Sequence, residues 1–353
     1  MSDVAGVELF KASLKAYQIA DFDRQILRYH ETYRDFVNSK LMSQQELDLS
    51  LREGFYFGHP EAGLGEFLSF SALPRLIKQM YPGSKVFVGP NRFSEAVFKN
   101  NHFVDGVEVL ENRTPFGSQR EFGFGTTTQR RLLPIGVFHP SPIGPEMTPS
   151  AGAIAKAEQW KAKLNLRGRK LVFMQSSGRT NPKVFSFFKW SRWLAQMRDE
   201  FCIVQIGNLR DQFVWAEKVL LKQWNIDEMA AMVSVGNAFV GPNSGVMHLA
   251  SAVGTNAVVM HNEAHSSEIV FPVLGDNEVL PGKVNHHLFH CYPWHHHVVI
   301  DRLWNQDSRF AERATLDGLR KLLREACLRE NPTWTSMKTH FAAGPICLLK
   351  GSI

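Results

Sequence analysis

The sequence predicts an α/β protein with two tandem parallel-sheet domains behind a helical leader. Three observations carry that expectation. The chain has 353 residues and 44% hydrophobic content, too long for one comfortable core and suited to two of about 150 residues each. From Gly54 onward, short apolar runs alternate with segments of helical period. A dense run of prolines from Pro134 to Pro149 interrupts that alternation and reads as a linker.

Residues 1–53 form the leader, with Ile26, Leu27, Phe36 and Val37 at helical spacing. The first domain, 54–150 with its linker, opens on Phe55-Tyr56-Phe57-Gly58 as a short buried strand. A glycine-bearing loop follows, then a helix over Phe67–Met80 that Tyr81-Pro82-Gly83-Ser84 terminates, then a strand over Lys85–Val88. Strand, loop, helix and strand make a βαβ unit and therefore a parallel sheet.

The second domain, 151–314, repeats the alternation. Helices are expected over Ala151–Leu164, around Phe187–Arg198 and over Gly245–Val253. Strands are expected over Lys170–Gln175, Cys202–Ile206, Ala238–Val240 and Ala257–Met260. A charged amphipathic helix over 315–330 opens the last segment, 315–353, whose tail carries no assigned element. Two open parallel sheets in tandem imply a cleft, because ligands of such sheets sit beyond the carboxyl ends of the strands.

Composition excludes several classes. No run of about 18 apolar residues is present, which speaks against a membrane-spanning helix. Met1-Ser2-Asp3-Val4 has no basic stretch leading into an apolar core. Cys202, Cys291, Cys327 and Cys347 are widely spaced and are expected as reduced thiols in the cytoplasm. The formal charge of +6 favours anionic partners. The basic residues are scattered, however, and no nucleic-acid-binding motif accompanies them.

Three loops at expected strand ends hold chemistry-bearing residues. In Gly63-Leu64-Gly65-Glu66, a carboxylate at a helix start stays ionised beside the helix dipole. Facing a cleft it serves as a general base; otherwise it simply caps the helix. In Gln175-Ser176-Ser177-Gly178-Arg179-Thr180-Asn181-Pro182-Lys183, hydroxyls, backbone N–H groups and cations suit a diphosphate. The Walker ending is missing, so nucleotide hydrolysis is not indicated. In Gly241-Pro242-Asn243-Ser244-Gly245-Val246-Met247-His248, a strand meets a helix through small residues, either to bind phosphate or to cap a buried helix.

These motifs resemble the heptosyltransferases, glycosyltransferase family 9. The stretch Asn243–Ala252 is similar to the family's Asp-Ser/Thr-Gly signature followed by Met/Ser-His-Leu/Val. The Gly63–Glu66 loop, with Ala72-Leu73-Pro74 and Tyr81-Pro82-Gly83 behind it, resembles the amino-terminal Gly-Asp loop. Asn101-His102-Phe103-Val104-Asp105 is similar to the family's Asn-Pro-x-Ile/Val-Asp stretch.

The resemblance implies the GT-B architecture, two Rossmann-like domains facing across a cleft. It implies inverting, metal-independent sugar transfer from an ADP-heptose-like donor to a hydroxyl of an anionic glycan or glycolipid such as lipopolysaccharide core. No cofactor is called for; the nucleotide-diphosphate sugar is a co-substrate. The site is cytoplasmic, with peripheral contact at the inner membrane admitted and nucleic acid excluded as a partner. Glu66 takes the base role. Ser176, Ser177 and Gly178 take the diphosphate, and Asn243, Ser244, Gly245, Met247 and His248 take the nucleotide. Lys183 and Lys189 compete to offset leaving-group charge, because the family's Trp-Pro anchor is missing. Two departures stand out: Asn243 occupies a usual Asp position, and Glu66 also replaces an Asp.

The histidine-rich run from His286 to His297, with Cys291, contains ligand types suited to zinc or iron. Its spacing fits no standard metal motif, and adjacent histidines cannot all face one ion, so these are expected as structural or surface residues. Two other functions share this sequence pattern: a sugar-nucleotide epimerase, and a non-catalytic sugar-nucleotide or glycan-binding descendant. An epimerase needs several acids and bases on one nucleotide, whereas Glu66 is the one well-placed carboxylate.

Overall fold

The structure is a computed structural model and describes residues 42–116, 135, 137–138, 145–177, 187–222, 224–242, 244–262, 295–300, 319–321, 323–328 and 347–348. The chain divides into two compact units. The first draws on Met1–Glu146, Phe289–Pro293 and Thr335–Ile353, the second on Met147–Leu288 and Trp294–Trp334.

In the first unit, helix α1 (Gln44–Glu53) starts on a capping box. Ser43 Oγ accepts from the Glu46 N–H at 3.2 Å, and the Glu46 carboxylate accepts from the Ser43 N–H at 2.7 Å. Most of the expected leader, 1–41, lies outside the described residues. Strands β1 (Phe55–Phe57), β2 (Val86–Val88) and β3 (Gly106–Val107) form a parallel sheet in the order β1-β2-β3. Phe116 bridges the opposite edge of β1, donating to the Tyr56 carbonyl at 3.0 Å and accepting from Gly58 at 3.2 Å. The winding therefore reverses at β1.

The expected single helix over Phe67–Met80 is two: α2 (Leu64–Leu68) and α3 (Leu73–Met80). Between them, Ser69 and Ser71 turn their hydroxyls back onto the carbonyls of Glu66 and Leu68, at 2.5 and 2.6 Å. Those bonds compete with helical ones. Pro74, in the first turn of α3, supplies no N–H to continue the ladder. The break lets Phe67 and Phe70 both reach the core. Phe57 packs against Phe70 and Phe98 at ring separations of 5.9 and 5.8 Å, and Phe98 belongs to the short helix α4 (Ser94–Phe98). Strand β4 (Val137–Phe138), from the expected linker, is described by its backbone alone.

The second unit contains a six-stranded, wholly parallel sheet. Its strands are β5 (Lys170–Met174), β6 (Phe201–Gly207), β7 (Lys218–Leu221), β8 (Ala238–Pro242), β9 (Ala257–Asn262) and β10 (His295–Ile300), ordered β10-β9-β8-β5-β6-β7. The chain winds outward from β5 through β6 to β7, then crosses back to β8 and winds the other way. This is the doubly wound order, with its switch point between β5 and β8.

Helices cover both faces, so β5, β6 and β8 are buried almost throughout. Val172 and Met174 of β5 pack with Trp190, Trp193, Leu194 and Met197 of α6 (Phe187–Met197), together with Leu319 and Leu323 from the last helix. On the alternate side of β5, Phe173 stacks on Trp160 of α5 (Ala151–Ala162) at 6.1 Å. Helix α7 (Ile226–Ser234), begun by an Asn225–Glu228 capping box, packs against α5, and α8 (Gly245–Ala252) follows β8.

Sequence periodicity missed α4, β3, β7, α7 and β10. The first two are too short to show a period. The edge strand β7 is only half-buried, and β10 is built from the end of the histidine run. The unassigned tail contributes β11 (Cys347–Leu348), antiparallel to β4. Cys202 and Cys327 are free thiols, and burial pushes them up to about 11 and about 12 respectively. Among the described residues no helix is long and apolar enough to cross a membrane, and none of their acidic, histidine and cysteine side chains forms a metal-holding group.

Candidate functional site

The switch point of the second unit brings together the loops after β5, β6 and β8. Gly241 of β8 lies so close to β5 that a Cβ there would sit 2.7 Å from the Gln175 carbonyl. Only glycine permits this approach. The Gln175 N–H donates to the Val240 carbonyl at 3.0 Å, locking the two strand ends together.

Side chains continue the link. Ser244 caps α8, accepting from the Met247 N–H at 3.3 Å, and donates its own hydroxyl proton to Gln175 Oε1 at 2.5 Å. Gln175 Nε2 donates to Asp211 Oδ2 at 2.8 Å, and the same oxygen accepts from the Asn208 N–H at 2.8 Å. Gly207, at φ +136°, ends β6 just before this turn; a Cβ there would fall 2.1 Å from Asp211 Oδ2. Desolvation pushes the Asp211 carboxyl above the ordinary aspartate range, while hydrogen bonds from Asn208, Gln175 and Ser177 pull the other way.

The two serines after β5 are tied down as well. Ser176 is wholly buried; its Oγ accepts from Gln205 Nε2 at 3.0 Å and donates to the Gln212 carbonyl. Its own carbonyl receives the Trp190 indole N–H at 3.1 Å. Ser177 Oγ accepts from the Gln212 N–H at 3.0 Å and faces Asp211 Oδ1 at 3.5 Å. Gln205 closes the network by accepting from the Val214 N–H at 3.0 Å.

Of the residues expected in the nucleotide site, Ser176, Ser177, Ser244, Gly245, Met247 and His248 therefore gather at one end of one sheet. Met247 has its side chain in the core, while Gly245 and His248 are half-buried. Gly178, Lys183 and Asn243 lie outside the described residues, as do the Lys189 side chain and most of the histidine run. Gln205 and Asp211 were not singled out from sequence. Their signal was a glycine at a strand end followed by Asn208 and Asp211, a turn pattern that looks purely structural.

Glu66 belongs to the first unit. It occupies the third position of α2, half-buried, just beyond the carboxyl end of β1, where that sheet's winding reverses. The preceding loop is held by Asn91, whose Nδ2 reaches the carbonyls of His59, Pro60 and Ala62 at 3.0, 2.7 and 3.3 Å. Glu66 thus follows a loop that Asn91 holds in place, at a switch point.

No protein-family model and no curated protein matches the sequence. Solved structures do match. A glycosyl transferase of family 9 from Veillonella parvula superposes with a TM-score of 0.56 and 10% identity, covering 78% of this chain and 97% of its own. The ADP-heptose lipopolysaccharide heptosyltransferase II of E. coli gives 0.54 and 13%, covering 77% and 99%. The iron-containing dodecameric glycosyltransferase TibC of enterotoxigenic E. coli gives 0.51 and 12%, covering 77% and 76%. Identity this low speaks to architecture. The chain has the fold of the family 9 heptosyltransferase structures, as the sequence motifs led one to expect.

Proposed function

We propose that this chain is an inverting glycosyltransferase that moves a heptose-like sugar from a nucleotide-diphosphate donor to a hydroxyl of a glycan or glycolipid. One observation carries the reading. Two segments suited to phosphate, at Gln175–Ser177 and Ser244–His248, follow adjacent strands at the switch point of a doubly wound sheet. Helix α8 begins there; the Met247 N–H is taken by Ser244 Oγ, while the N–H groups at the first two positions, Gly245 and Val246, lie beyond the reach of intrahelical bonding. TibC has been crystallised with ADP-D-β-D-heptose, which supports a nucleotide-sugar donor for a chain of this fold.

In the proposed reaction, the acceptor oxygen attacks the anomeric carbon as the bond to the donor's β-phosphate breaks. Glu66 takes the proton from the acceptor hydroxyl. The departing nucleoside diphosphate gains negative charge, which the α8 amide groups and either Lys183 or Lys189 offset. No metal is required in this scheme. Asn243, where family 9 usually has Asp, contacts the donor through an amide that both donates and accepts. Anionic acceptors fit the chain's positive charge.

The test is a thermal-shift screen of ADP-, GDP- and UDP-sugars, since a selective ligand stabilises the native state. The best binder is then incubated with and without acceptor glycans. Donor-dependent glycosylation with inversion supports the proposal. Interconversion of the free nucleotide-sugar into its epimer overturns it in favour of an epimerase, and binding without turnover favours a non-catalytic binder.

A further inference from the structure

We infer that Gln175 is a positioning residue for the donor diphosphate, acting through Ser244 to hold the start of α8, and that the serine hydroxyls at this site support the loops instead of touching the phosphates. The inference rests on the donor-binding reading above.

Hydrogen-bond direction carries the argument. Asp211 Oδ2 already accepts from the Asn208 N–H and so is an acceptor, which fixes the Gln175 amide with its nitrogen toward that oxygen and its own oxygen toward Ser244. Ser244 must then donate its one proton to that oxygen, which leaves a lone pair for the Met247 N–H. The hydrogen bonds that link Met247, Ser244, Gln175 and Asp211 thereby each have a set direction. Gln175 is 6% exposed and its backbone is bonded to β8, so the amide has little freedom to turn.

The same accounting applies to the other two hydroxyls. Ser176 is wholly buried and spends its proton on the Gln212 carbonyl. Ser177 is 3% exposed, with Gln212 and Asp211 as its neighbours. With the Ser176 and Ser244 protons committed to protein and Ser177 Oγ held by the Gln212 N–H, a diphosphate here is received mainly by backbone N–H groups and by cations. Loop spacing then matters more than hydroxyl chemistry, and Gln175 sets the spacing between the loops after β5, β6 and β8.

Gln175→Glu tests this with little change of shape. It replaces the donated bond with a second carboxylate against Asp211. Two carboxylates in contact share a proton at low pH and repel at high pH. Among the described residues, the other groups that face Asp211 are the Asn208 N–H and the Ser177 hydroxyl. His248, on α8, is present in both proteins, so the comparison is made as the ratio of variant to wild type at each pH.

The measurement is ADP binding to the full chain by calorimetry, with melting temperature recorded at each pH to show that the variant is folded. At about pH 8, the variant is expected to bind ADP about tenfold more weakly than wild type, the equivalent of one lost hydrogen bond. At about pH 5 the ratio should return toward one. Adding Asp211→Asn, which leaves one carboxylate, should abolish the pH dependence of the ratio. Equal affinity at both pH values overturns the inference, as does a deficit that neither acid nor the second substitution relieves. Wild type that binds neither ADP, GDP nor UDP overturns the donor reading itself, and this role with it. For the hydroxyls, Ser177→Ala should retain ADP affinity within about threefold, less than the cost of losing a bond to a charged group. A larger loss in a folded protein would return that hydroxyl to the phosphates.

Discussion

Arg75 grips the carboxylate of Glu146 across 71 residues of sequence, its Nε lying 2.9 and 3.1 Å from the two oxygens, with both side chains almost wholly buried. The Glu146 N–H meanwhile donates to Ser71 Oγ at 2.7 Å. The next residue, Met147, belongs to the second unit and donates to the Ala252 carbonyl at 2.9 Å. Consecutive residues are thus bonded into different units.

Removing one member of such a pair strands a buried charge. Glu146→Gln should therefore destabilise the first unit by about 3–5 kcal/mol, because the Arg75 guanidinium stays desolvated without its counter-charge. Arg75→Met combined with Glu146→Leu should recover much of that loss. Denaturant unfolding followed by hydrogen exchange of first-unit amides distinguishes the two. A single variant as stable as wild type would show that the pair contributes nothing.

Stability should also depend on the ionisation of Asp211. Burial raises its carboxyl above the unfolded value of 3.8, so the folded state binds the proton more tightly. The resulting penalty is fully present above the folded pKa, and it is relieved as pH falls toward 3.8. Asp211→Asn should gain stability relative to wild type near neutral pH, and that advantage should fade with acid. Glu217 works in the opposite sense, because its hydrogen bond from Arg169 holds it below the usual range and its contribution is lost on acidification. Comparing melting temperatures of wild type and Asp211→Asn across the acid range checks the sign. An advantage that grows as pH falls would contradict it.

For Glu66 the expected signature is kinetic. Glu66→Gln keeps size and polarity but removes basicity, so kcat should fall about a hundredfold or more with donor affinity nearly unchanged. Turnover assays paired with donor calorimetry read the two effects separately. Near-normal turnover would leave Glu66 as a helix-start residue only.

The two candidate lysines separate by affinity. Whichever of Lys183 or Lys189 meets the leaving group, its replacement by Ala should weaken nucleotide-sugar binding by about 1.5–3 kcal/mol, the range for hydrogen bonds to charged groups. The other variant should bind as wild type does. Calorimetry with both variants unchanged would remove this loop from the donor site.

Local pattern made much of the fold legible. The strands of the second sheet that are buried on both faces, β5, β6, β8 and β9, are runs of β-branched and aromatic residues bounded by glycine or polar turns. Helix α8 announced itself through Ser244 and Gly245, a cap followed by small residues, and the motif order carried the family resemblance. What local pattern could not supply was any element whose identity depends on a distant neighbour. The strand β10 exists because β9 is there to pair with it, and two-residue strands carry no period. Likewise Ser69, Ser71 and Pro74 broke a helix that apolar spacing alone drew as continuous.

The sequence by itself determined the residue types at the site: a carboxylate at the start of α2, a serine-rich turn after β5 and a small-residue helix start after β8. Side-chain chemistry and strand-to-helix punctuation are local properties, so they can be read from neighbouring letters. Only the tertiary structure decided how the hydroxyls are used. Ser176, Ser177 and Ser244 look alike as phosphate ligands in sequence, yet each is held by a partner 29 to 69 residues away. A hydroxyl has one proton to give, and the parallel pairing of β5 with β6 and β8 decides which acceptor lies within reach of it.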